Sequence, residues 1–259
     1  MKSLIRKIFN TNIAIDIRNL IKFRPLKISL QHIKSSESIS DAFCWRTDNG
    51  FTTTFKYSDI LGLFYKVKDS SVHFSFYNKE NKLIKKLEYK NLNYSNILKI
   101  DYELLDGLKD YGVFYVFHKT NNEFDEKTII ANRCYLGYSK NNNLCSFVHG
   151  NTYAKSENIA RIRVNEKKSS NITKTSLNNQ TYKIQNYFKN ITKSELFFAN
   201  PTSTNIYFQI NNQKYNLKER QSLLINISNL HSVIINSNCL FLRPIVFNYK
   251  GDYIDVYHS

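Results

Sequence analysis

A chain of 259 residues with 42% hydrophobic and 14% aromatic content can bury a core, and its composition lies outside that of disordered chains. Seven glycines and three prolines exclude a collagen-like or linker-dominated chain. The net charge of +16 suggests a polyanion partner, yet lysines outnumber arginines 28 to 9 and asparagine, isoleucine, tyrosine and phenylalanine are in excess with them. That joint excess is the mark of an AT-rich coding sequence. Arginine, the better reader of phosphate, is scarce, so the composition argues against a nucleic-acid role.

Residues 1–34 carry eight Lys and Arg against one Asp, with Leu4, Ile5, Ile8, Phe9 and then Ile13, Ile17, Leu20 and Ile21 at near-helical spacing. The spacing predicts a short basic amphipathic helical arm, ended by Pro25. Such an arm either packs its apolar face on the body of the protein or lies on an anionic membrane surface, so peripheral membrane contact through residues 1–34 stays open. No run approaches the roughly 18 apolar residues of a transmembrane helix, and no leader-like apolar stretch is present. The four cysteines, Cys44, Cys134, Cys145 and Cys239, form no CxxC or CxxH pair, and the expectation is reduced thiols in a cytoplasmic protein.

From residue 36 the apolar period shortens to two. Strands are predicted over 51–57 and over 72–77 and 83–89, the latter two flanking a polar turn from Asn78 to Lys82. The uninterrupted run YGVFYVFHK, ending at His118 and Lys119, reads as a strand buried on both faces. Strands over 128–138 and 144–149 follow, joined by SKNNN. Residues 166–181 hold two aliphatic side chains, Ile172 and Leu177, and read as a polar linker or long loop. Beyond 182, eight short apolar runs recur at spacings near ten residues, the rhythm of a sandwich or barrel. The expected fold is all-β: the arm over 1–34, a β-sandwich over 36–165, the linker over 166–181 and a second sandwich over 182–259. Both sandwiches are expected to be small, of jelly-roll or immunoglobulin-like type, and arranged in tandem.

Candidate ligand contacts fall where polar side chains interrupt these patterns. In CWRTDNG, Trp45 offers a flat apolar face for a sugar ring and Arg46 and Asp48 offer hydroxyl partners; the competing reading is a core tryptophan beside an ion pair. In the 128–138 strand, Arg133 shares a face with Ile129, Ala131 and Tyr135. Cys145, Phe147 and His149 share a face of the next strand, which leaves the sheet through Gly150 and Asn151, and sheet ends are where sandwich proteins carry binding groups. Arg243 stands on the face of Phe241, Ile245 and Phe247, so it must be paired or reach a cleft. An alternative constellation is a metal site drawn from His118, His149 and His258 on separate strands. No P-loop, GxGxxG, HExxH, GxSxG or EF-hand loop is present, and no carboxylate pair stands out as the acid and base of a glycosidase.

Four stretches, SISDAFCWRTDNGF, DYGVFYVFHK, SFVHGN and the ending LRPIVFNY…DVYHS, together resemble a bacterial family of two-unit β-sandwich proteins associated with surface-polysaccharide biosynthesis. The likeness spans most of residues 36–259 and singles out Arg46, His118, His149, Asn151, Arg243 and His258; NRCYLGY replaces a more acidic, glycine-containing stretch. The resemblance implies the fold and the cellular setting and brings no activity with it. The leading expectation is therefore a non-catalytic protein that binds or organises carbohydrate, or a glycan-assembly partner, with no cofactor. A metal-dependent enzyme acting on sugars or sugar nucleotides through the three histidines is the alternative. A polyanion or membrane-surface binder working through residues 1–34 is a second.

Overall fold

In the computed structural model the described residues are 36–258 except 125–127, 133, 151–152, 161–169, 174, 186–190, 228–231 and 240–241, together with 11, 13, 14 and 17. The expected arm over 1–34 lies outside them but for Thr11, Ile13, Ala14 and Ile17, the last three of which are helical.

The backbone follows the two-residue period of the apolar side chains. In chain order the first half forms β1 (Glu37–Asp41), β2 (Phe43–Arg46), β3 (Phe51–Tyr57), β4 (Ser71–Asn78), β5 (Leu83–Lys90) and β6 (Asn96–Ile100). It continues with β7 (Tyr111–Lys119), β8 (Ile129–Asn132), β9 (Tyr135–Lys140), β10 (Ser146–His149), β11 (Tyr153–Asn158) and β12 (Ser170–Asn171). The second half forms β13 (Thr175–Gln185), β14 (Lys193–Ala199), β15 (Ile206–Ile210) and β16 (Gln213–Leu217). It ends with β17 (Ser222–Ile227), β18 (Ser232–Cys239), β19 (Ile245–Lys250) and β20 (Tyr253–His258). A six-residue helix, α1 (Ile60–Tyr65), starts where the Asp59 carboxylate accepts from Gly62 N at 2.8 Å. No helix among the described residues is long and apolar enough to cross a membrane. The protein is all-β, as its sequence leads one to expect.

Sheet one (β2-β7-β4-β5) faces sheet two (β10-β9-β3-β6). Between them the Phe55 ring lies 5.0 Å from Phe43, 5.1 Å from Phe114 and 5.7 Å from Phe74, so edge-to-face aromatic packing fills the gap. Sheet three (β17-β14-β19-β20) is covered on both sides. Phe197, Phe247 and Tyr249 point into the core of the first half, while Leu196, Phe198 and Val246 point to sheet four (β13-β18-β15-β16). That double burial is why β14 and β19 read as nearly continuous apolar runs. The two halves, expected as sandwiches in tandem, thus share a core through sheet three.

Sheet five (β12-β11-β1-β8) flanks this body, with β1 beside the second part of β7. Ser40 Oγ accepts from Val116 N at 2.8 Å and Ser38 Oγ from His118 N at 2.9 Å, so serine hydroxyls satisfy backbone groups that have no ladder partner there. The pairing of β1 with β8 is parallel. The strand predicted over 128–138 divides here: β8 joins sheet five and β9 joins sheet two, and apolar alternation alone carries no mark of such a change of sheet. The polar stretch 166–181, expected as linker, holds β12 and the start of β13. There Gln180 pairs with Ser237 and Thr181 with Asn236, a ladder that needs no apolar side chains.

His118 is fully buried in β7, and neither ring nitrogen has a hydrogen-bond partner among the described residues. Burial pushes its pKa down to about 4, against smaller opposing effects of Asp59 and Asn132. The folded state therefore resists protonation that the unfolded chain accepts near pH 6.5. The His118 contribution is present above pH 6.5, falls as pH drops towards 4, and is lost below. Urea unfolding between those limits is expected to show a loss of about 3 kcal/mol from this residue. His118→Leu should flatten that part of the profile; an unchanged profile in the variant would assign the acid sensitivity to other groups.

Candidate functional site

β2 ends at Arg46, and a single turn of 3-10 helix over Asp48–Gly50 carries the chain into β3. Asn49 and Gly50 both take positive φ, 49° and 78°, and turn the chain into β3 directly after Asp48, whose carboxylate meets the guanidinium two residues back. Nε donates to Asp48 Oδ1 at 2.9 Å and Nη2 to Oδ2 at 2.8 Å, a bidentate fork. A side chain at Gly50 would collide with Asn141 Oδ1, and Asn141 N donates to Gly50 O at 3.0 Å, so the turn is clamped to the β9–β10 hairpin.

The other edge of the guanidinium crosses to the second half of the chain. Nη1 donates to Glu195 Oε2 at 2.7 Å and to Tyr249 Oη at 3.3 Å, and Cζ stands 4.0 Å and 4.8 Å from the ring centres of Phe51 and Phe247. Arg46 is 0% exposed. Glu195 accepts from Lys193 Nζ at 2.6 Å and from the Tyr249 hydroxyl. Burial raises the Glu195 pKa, but the Arg46 charge, helped by the bonds from Lys193, Tyr249 and Arg46, outweighs it and holds the carboxyl below the usual range. Burial pushes the Tyr249 phenol up, reinforced by its bond to the carboxylate. These groups are fixed in charge at neutral pH.

In front of this cluster opens a cleft of about 540 Å³, lined by Asn49, Lys140, Asn141, Thr192, Lys193, Glu195, Tyr249 and Gly251. Lys140 and Lys193 place their ammonium groups 5.5 Å and 5.2 Å from the Tyr249 ring centre. The cleft therefore offers amide, hydroxyl and ammonium groups over a floor whose carboxylate is already neutralised. It is suited to holding a polar molecule and supplies no carboxyl poised to give up a proton.

Of the residues singled out in the sequence, Arg46 and Asp48 form the predicted ion pair and build the floor of this cleft without lining it. Trp45 is 0% exposed and its indole N–H donates to Tyr77 O at 2.9 Å, so it is a core residue with no ring face left for a sugar. Arg133 and Asn151 lie outside the described residues. Arg243 is exposed and does not line the cleft; its charge acts on His258 and Tyr182. His149 and His258 meet, ring centres 5.4 Å apart, with His258 Nε2 against the His149 carbonyl. His118 is enclosed in β7 beside Ser38 and Asn132, and no group of three His, Cys, Asp or Glu side chains among the described residues is placed to hold a metal ion.

Glu195 and Tyr249 escaped the sequence reading. The signal was present for Glu195: in KSELFFA it shares a face with the buried Phe197, the same inconsistency that drew attention to Arg243. Glu195→Gln removes one charge from a buried pair and is expected to cost about 3 kcal/mol in urea unfolding. A loss below about 1 kcal/mol, the range of an exposed pair, would contradict the buried geometry.

No protein-family model and no curated protein sequence matches this chain. Among solved structures it is similar to a Streptomyces avermitilis alpha-L-rhamnosidase complexed with L-rhamnose, at 7% identity and a TM-score of 0.24, covering 85% of this chain and 27% of that one. It is similar also to an anti-sigma factor domain-containing protein, at 8% identity, a TM-score of 0.22, and 85% and 89% coverage. A beta-glucuronidase from glycoside hydrolase family 2 follows at 11% identity, a TM-score of 0.11, and 88% and 26% coverage. The chain spans about a quarter of the rhamnosidase, and likenesses at these scores carry no weight for function.

Proposed function

We propose that this protein binds carbohydrate without catalysis, in the cleft between sheets two and three. The observation that carries the reading is the lining itself: Asn49, Asn141, Thr192, Lys140 and Lys193 present hydrogen-bonding groups to one space of about 540 Å³, over a floor locked by Arg46. Hydroxyl-rich ligands are recognised by convergent amides, hydroxyls and charged groups held rigid before binding. The sequence resemblance to proteins associated with surface-polysaccharide biosynthesis favours the same ligand class, a glycan, or a glycan-biosynthesis protein as partner. A catalytic reading finds less support, because Glu195 is held ionised by Arg46 and no second carboxyl stands across the cleft among its lining residues.

The test is a panel of hexose, 6-deoxyhexose and uronate oligosaccharides measured by calorimetry against the full chain. Binding is expected for at least one class, unchanged by a strong chelator. Lys140→Ala with Asn141→Gly, the glycine keeping the positive φ of that turn, should weaken it about tenfold, the effect of losing one or two ligand hydrogen bonds. Absence of affinity for every class, or binding indifferent to the double variant, would remove the cleft as a carbohydrate site.

A further inference from the structure

The outer face of sheet two is built by residues of alternate register whose neighbours in sequence, Phe55, Leu136, Tyr138, Leu98 and Val148, are buried in the core. Register aligns His149, Tyr135, Lys56 and Ile97 in one row across the four strands and Phe147, Gly137, Thr54 and Lys99 in the next. Each row spans about 14 Å, three interstrand steps. Tyr135 is 59% exposed, Phe147 43% and Ile97 64%, so three large apolar side chains stand outward on one sheet face.

Two features give the face a chemistry. Gly137 is a slot: a side chain there would run into Cys145 Sγ and the Phe147 ring, so the missing Cβ lets Phe147 lie against the sheet. Lys56 Nζ then stands 4.8 Å from the Phe147 ring centre. At the outward positions of the four strands there is no Asp or Glu; the cations are Lys56 and Lys99, and Lys99 is engaged at 3.0 Å by Asp101 beyond its strand. Thr52, Thr54 and Ser139 supply hydroxyls beside the rings.

The geometry points to this face as a second binding surface, which takes an acidic polysaccharide chain by stacking sugar rings on Tyr135 and Phe147 and pairing their carboxylates with Lys56. Its ligand class rests on the carbohydrate reading of the cleft, but its residues are separate from those that line the cleft. Sparse cations and neighbouring hydroxyls match a chain with an occasional carboxylate. A single-stranded nucleic acid, with one phosphate per nucleotide, calls for a denser basic track and for arginine, and the described residues of this face include no arginine.

Calorimetry of the full chain with an oligogalacturonate, its neutral methyl ester and a single-stranded oligouridylate tests the proposal. The oligogalacturonate is expected to bind best. Tyr135→Ala with Phe147→Ala should weaken it about tenfold. Lys56→Gln should abolish the preference for free acid over ester, and the Lys140→Ala, Asn141→Gly cleft variant should leave this binding in place. Melting temperatures of the exposed-face variants should match the natural chain. Tighter binding of oligouridylate, weakened by the same variants, would overturn the glycan assignment in favour of nucleic acid. Affinity unchanged in the face variants would move the site elsewhere, to the cleft if the cleft variant loses it and to residues 1–34 if it does not. No binding of any of the three would overturn the surface altogether.

Discussion

The structure turns on one guanidinium. Arg46 has no exposed surface, and an ion taken out of water costs several kcal/mol unless its donors are met. One edge is met locally by Asp48, two residues on. The other edge has no local partner and is met 149 residues later by Glu195, with Tyr249 closing the group. Phe51 and Phe247, from opposite sides of the seam, cover its faces. The buried charge therefore adds a directional tie to the apolar core that sheet three shares with the first half of the chain, at the point where the apolar faces of β14 and β19 meet those of β3 and β9.

The cleft is a consequence of that tie. Its floor is the charge cluster, and its walls are the segments the cluster draws together: the β2–β3 turn, the β9–β10 hairpin, the approach to β14 and the β19–β20 turn. A site assembled from four segments is only as well defined as the interaction that fixes them, and hydrogen bonds to ionised groups in a dry interior are the most directional available. The outer face of sheet two has a different origin. It follows from strand register alone, and its apolar residues stay outward because the alternate positions of β3, β9 and β10 are already committed to the core.

Much of the strand framework was legible in the sequence because burial on one or both faces leaves a period that the eye can follow; the β4–β5 hairpin and β7 fall close to their predicted spans. Arg46 and Asp48 were legible as a pair because their partnership is local. Glu195 was not, since the charge it answers lies in the other half of the chain, and a single sequence without its fold gives no means of joining them. Trp45 offered two readings, core packing or a sugar platform, and its complete burial and its hydrogen bond to Tyr77 O decide for the first. The change of sheet between β8 and β9 and the strand character of polar β13 rest on backbone pairing, which side-chain patterns do not encode.

Arg46 couples the unfolding of two halves that also share an apolar core through sheet three. Urea unfolding followed together by Trp45 fluorescence, which reports the first half, and by hydrogen exchange of β18 amides, which reports sheet four, tests it most directly. The two signals should change at one urea concentration in the natural chain and at separate concentrations in Arg46→Met. Separate transitions in the natural chain would show that the halves are not one cooperative body, and coincident ones in the variant would show that the shared apolar core, and not this charge, holds them together.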